Sequence, residues 1–174
     1  MVRKTLTGVI MVFVIGIAIF LQANLLQVIP LDGTSANIGI ILVASVGLIC
    51  GKYIGGVTGI VYGILYDISF GRAIGIYTGL YLLVGYLSGM FNKNFSKDNK
   101  VSMIFLISII TAVFETLVYL FCVLFRNYDF ELQSMLFIIA KELIYNTILI
   151  LVLYKFLIWF GDMINKSKNS YYLL

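Results

Sequence analysis

Of 174 residues, 61% are hydrophobic and only 11% charged, with a formal net charge of +4 and a mean hydropathy of +1.06. So little charge excludes a water-soluble domain, and a basic excess dispersed between apolar runs reflects membrane topology, not a nucleic-acid surface. Histidine is absent, which removes the commonest general base and the commonest transition-metal ligand.

In chain order, apolar runs bounded by polar clusters predict six spans, at residues 5–26, 37–50, 53–68, 73–91, 101–125 and 135–160. Each is expected to be helical, because backbone in lipid must satisfy its hydrogen bonds within the segment. The expected fold is an all-α integral membrane protein, one six-helix transmembrane bundle over residues 1–174. The first run follows Arg3 and Lys4, is too long for the apolar part of a signal peptide, and ends without a small-x-small cleavage site; it reads as a retained span. Pro30, Asp32 and Gly33 mark its exit loop. The second run, Asn37 to Cys50, is short enough for a re-entrant segment to be the alternative to a crossing.

With the amino terminus in the cytoplasm, Arg3, Lys4, Lys52, Lys93, Lys97, Lys100, Lys166 and Lys168 fall inside. Arg72 and Arg126 then fall outside with Asp32, Asp129 and Glu131. Both termini are therefore expected in the cytoplasm. Cys50 and Cys122 would lie at opposite membrane sides, too far apart to pair.

The third and fourth runs carry a glycine at every fourth position, Gly51, Gly55, Gly59, Gly63, then Gly71, Gly75 and Gly79, with Asp67 at the missing beat. Four residues turn a helix by about 400°, so such positions form a slowly drifting lane on which a second backbone can close. Continued to Gly79 on one helix, the lane would wrap most of the way round. The cluster DISFGR (67–72) is thus expected to break the run into two helices that fold back on each other, with Gly85 and Gly89 continuing the theme. The lane reads either as intramolecular packing or as an approach surface for a ligand or partner helix. Asp67, at the end of span three, reads as a wetted helix end or as organiser of the turn, with Arg72 as a possible pair.

Deeper in the apolar runs lie Glu115, Lys141, Glu142 and Asn146. Glu115 and Lys141 are counted to similar depth and are expected to pair. Glu142 points about 100° away from Lys141 and shares a face with Asn146, four residues on. The cluster reads as a structural tie between spans five and six or as an intramembrane functional group. Neither catalytic, cofactor nor metal residues are expected: no serine has an activating base, and no ligand set is present.

The stretch GGVTGIVYGILYDISFGRAIGIYTGLYLLVGYLSG resembles the signature region of the MreD family of rod shape-determining proteins, its pattern falling on Gly59, Gly63, Asp67, Gly71 and Gly75. LLQVIP resembles the exit of that family's first helix. Glu115 in AVFETLVYL and Asn146 in ELIYNTIL match its intramembrane acid and its last-helix asparagine. Many members carry proline where this chain has Ala36 and Asn37. The resemblance implies a non-enzymatic scaffold of the bacterial cytoplasmic membrane that regulates cell shape and lateral peptidoglycan synthesis. Its implied partners are MreC and, through it, RodA, a penicillin-binding transpeptidase and MreB.

The alternative is a substrate-binding component of an energy-coupling-factor vitamin transporter, a class of similar size and helix number whose general fold the bundle is expected to resemble. Those proteins carry alanines spaced by four on the first helix, where this chain has Gly8, Gly16, Ala18 and Ala23. An intramembrane enzyme is the third reading, and nothing among the residues supplies its nucleophile and base.

Overall fold

A computed structural model describes residues 2–24, 36–70, 75–95, 99–126 and 131–169. They form α1 (Val2–Asn24), α2 (Ile38–Cys50), α3 (Lys52–Phe70), α4 (Ile76–Met90), α5 (Lys100–Arg126) and α6 (Leu132–Asn169), with one 3-10 turn, Phe91–Asn94, after α4. No strand occurs among the described residues. Directions alternate along the chain. Thus Gly63 of α3 meets Thr78 of α4 while Gly89 meets Lys52; α2 runs parallel to α4, from Asn37 beside Tyr81 to Leu48 beside Asn92.

Four helices are long and apolar enough to cross a membrane, through Leu6–Asn24, Lys52–Phe70, Lys100–Phe125 and Leu132–Asn165. The other two, at the runs expected over 37–50 and 73–91, are shorter. With 13 and 15 residues, α2 and α4 rise only about 20 and 22 Å, against an apolar slab of about 30 Å. At the other extreme, α6 continues past Phe160 to Asn169. No proline stops it, and Gly161, its one weak point, is pinned: a Cβ there would come within 2.5 Å of Ile49 Cδ1. The Cys50 thiol donates to the Gly161 carbonyl at 3.2 Å, fastening the end of α2 to α6.

All 13 residues of α2 are buried. A helix apolar all round has no face to offer water and belongs in the centre. Its lone hydroxyl, Ser45, satisfies itself by donating to the Ile41 carbonyl at 2.5 Å. The surrounding helices turn large apolar side chains outward, among them Phe13 and Phe20 on α1, Phe105 on α5, and Phe137, Val152 and Trp159 on α6. In water such a surface would be untenable; in a bilayer it is the solvated face.

The glycine lane is real over part of its predicted length. Cβ atoms placed on Gly55, Gly59 and Gly63 would overlap the backbone of α4 at Gly85, Tyr81 and Thr78 respectively, and on Gly89 that of α3 at Lys52. At Gly47 the three inner helices meet: a Cβ there would strike Ser88 and, at 2.6 Å, the Gly85 carbonyl, while Gly55 is in turn closed off by the Gly47 Cα. The lane ends sooner than the spacing suggests. Gly51 and Gly75 lie at helix boundaries with φ of 93° and 113°, where glycine is needed for its backbone conformation and not for approach. A Cβ on Gly79 would meet nothing within 4 Å. Gly71 lies outside the described residues, as do Arg72 and the exit loop at 25–35.

Candidate functional site: two helix starts capped inside the bundle

A helix begins with backbone N–H groups that have no partner within the helix, and water normally receives them. Here α2 begins inside the bundle, beside Tyr81 in the second turn of α4, and the start of α4 itself is met by α3, so side chains from other helices receive them. Two polar sites among the described residues follow from that requirement.

Asp67, on the last turn of α3 and 1% exposed, is the cap of α4. Its Oδ2 accepts the Gly75 N–H at 2.8 Å, the Thr78 N–H at 3.1 Å and the Thr78 hydroxyl at 2.7 Å, and its Oδ1 accepts the Tyr77 N–H at 3.1 Å. The residue in the cap position, Gly75, has no side chain to do this itself. A carboxylate is the best acceptor for the purpose, since converging N–H groups and the helix dipole both favour negative charge. Asp67 therefore organises the turn, which was one of the two readings its position allowed. Its expected partner Arg72 is outside the described residues.

The start of α2 draws on every other helix except α3. Asn37, its cap, accepts the Ile40 N–H at 3.2 Å and the Tyr81 hydroxyl of α4 at 3.0 Å on its Oδ1. Gln22 of α1 bridges the same turn, accepting the Ile38 N–H at 2.9 Å and donating to the Ala36 carbonyl at 3.0 Å. Asn146 of α6 accepts the Asn37 N–H at 2.8 Å and donates to Thr111 Oγ1 of α5 at 3.2 Å. Both asparagine oxygens are thus committed, which leaves the Asn37 amide nitrogen and the second amide N–H of Asn146 to serve Glu142, which faces Asn146, Asn37 and the Glu115 carboxyl of α5.

The structure accordingly changes one expected pairing. Glu115 faces Glu142 and not Lys141, whose ammonium lies 4.0 Å from the Phe137 ring centroid. Adjacent helical residues point about 100° apart, and the rotation of α6 is set by Asn146 reaching Asn37 and Gly161 packing on Ile49. That rotation turns Glu142 inward, to 4% exposure, and Lys141 aside.

A tyrosine cluster joins the two caps. Tyr62 and Tyr66 on α3 pack on Tyr81 with ring centroids 4.8 and 5.6 Å apart, and Tyr66 lies 4.8 Å from Tyr77 beside the Asp67 cap. Tyr62 fills the notch over Gly39 on α2, yet its hydroxyl is buried without a partner. Tyr62→Phe is therefore expected to leave the thermal midpoint unchanged or to raise it, by up to about 1 kcal/mol in stability, since an unpaired buried hydroxyl contributes only its desolvation cost. A clear fall in the midpoint would show that the hydroxyl has a partner.

Gln22, Thr111, Tyr62 and Tyr81 are absent from the sequence-level site, and Asn37 entered it only as a departure from a family proline. An asparagine directly before an apolar run is an N-cap signal, so Asn37 was findable. Nothing local marks the others.

A comparison with protein families adds identity to this geometry: the model described as rod shape-determining protein MreD matches residues 2–164. No curated protein and no solved structure matches the chain.

Proposed function

Because the chain belongs to the MreD family of rod shape-determining proteins, we propose that it is a non-enzymatic membrane scaffold that binds MreC. Through MreC it regulates lateral peptidoglycan synthesis by RodA, a penicillin-binding transpeptidase and MreB filaments. The observation that carries this reading is the use made of the glycine–aspartate element. It welds α3 to α4 by backbone contact and locks the start of α4 with Asp67, which is how a rigid docking body is built. Buried polar groups at the start of α2 likewise tie helices to each other.

The topology that fits is six passes with both termini cytoplasmic, which keeps the lysine-rich segments inside. Short α2 and α4 are compatible with it, because the length rule applies to helices whose ends meet lipid. The start of α2 sits level with Glu115 and Glu142, roughly 15 Å along α5 and α6 from their neighbouring ends, and there protein groups replace headgroup water.

Affinity purification of a tagged chain from its native membrane tests the assignment. Recovery of MreC and the synthases is expected. Recovery of transporter ATPases in their place would overturn it in favour of the vitamin-transport reading.

A further inference from the structure

Among the described residues, half-buried Glu115 and buried Glu142 are a pair of facing carboxyl groups inside the bundle that the helix caps do not explain. Glu142 is 4% exposed, and its Oε1 has no hydrogen-bond partner. The groups acting on the two carboxyls are each other and, for Glu142, the amides of Asn146 and Asn37. From α3, Tyr66 faces both acids, and from α4, Tyr81 faces Glu142. On α6 the neighbouring Lys141 lies over the Phe137 ring, and the Asp67 carboxylate of α3 is engaged by four donors at the start of α4.

Two carboxylates cannot face each other at this depth without a strong like-charge cost, which a single proton between them removes. The amino end of α2, with its partial positive charge, accommodates the one negative charge that remains. An unpartnered Oε1 suits a carboxyl group sharing a proton through its other oxygen, because a full carboxylate there would require donors on both. We propose that Glu115 and Glu142 form an intramembrane proton-binding site that holds one proton between an oxygen of each. That proton bridges α5 to α6 directly against the start of the central helix α2.

This inference is independent of the partners named above, and its test uses the purified full-length chain in lipid nanodiscs. Infrared spectroscopy at neutral pH is expected to show an un-ionised carboxyl C=O stretch that shifts in D2O. Either Glu142→Gln or Glu115→Gln should abolish the whole band, because an amide N–H then donates to the remaining carboxylate in place of the shared proton. Each variant keeps the size and a hydrogen bond of the original, and if one fails to fold the other gives the same reading. Absence of the band from the unaltered chain would overturn the proposal. So would retention of about half of it in a single variant, which means two separately protonated acids, or its persistence in the double variant.

Discussion

Asp67→Ala is expected to cost on the order of 3 kcal/mol of stability, because three backbone N–H groups and the Thr78 hydroxyl lose their acceptor in a part-buried site. Few single side chains serve so many donors. Water can replace only part of it, since Asp67 is 1% exposed while Gly75 is exposed and Tyr77 and Thr78 are half-buried. Asp67→Asn should lose about half as much: its one oxygen can keep the position of Oδ2, which receives three of the four bonds, while its amide then opposes the Tyr77 N–H. Unfolding in detergent measures the cost, and hydrogen exchange at Tyr77 and Thr78 locates it. An alanine variant within 1 kcal/mol of the parent, with those amides still protected, would show that α4 does not depend on this cap.

Gly59→Leu is the second large effect, with an expected loss of at least 3 kcal/mol and failure of α3 to close on α4. The added Cβ alone overlaps the Tyr81 carbonyl and comes within 2.6 Å of its carbon. Backbone cannot swing aside as a flexible side chain can, so the two helices must part. Gly63→Leu meets the same obstacle at Thr78, whose N would lie 2.9 Å from the new Cβ. Gly79→Ala is the control from the same four-residue repeat. Its methyl group meets nothing within 4 Å, and alanine is the better helix former by about 1 kcal/mol, so stability should hold or rise. On the function proposed above, the leucine variants should lose rod shape and recovery of MreC in cells while Gly79→Ala keeps both. A Gly59→Leu protein that folded and supported rod growth would show the lane to be dispensable.

These two predictions separate what could be read along the chain from what could not. The helices were legible because apolar runs, and the polar clusters between them, act locally and set both existence and rough bounds: the run expected at 53–68 became Lys52–Phe70, and that at 101–125 became Lys100–Arg126. Close approach at Gly55, Gly59 and Gly63 was legible for the same reason, since spacing by four places residues on one face whatever that face meets.

The remainder depended on tertiary structure. Spacing could not distinguish Gly59, pressed on a neighbouring backbone, from Gly79, where an added Cβ would meet nothing within 4 Å, because both occupy the same beat of one repeat. Nor could it say that α2, with 13 residues, is sufficient where it stands: its ends are received by Gln22 of α1 and by Asn146 and Gly161 of α6, distant in sequence. The partner of Glu115 was decided by the rotation of α6, fixed through contacts at Asn37 and Ile49. Sequence pattern determines which residues share a face; which faces meet, and which buried donor finds which acceptor, is settled only when the helices pack.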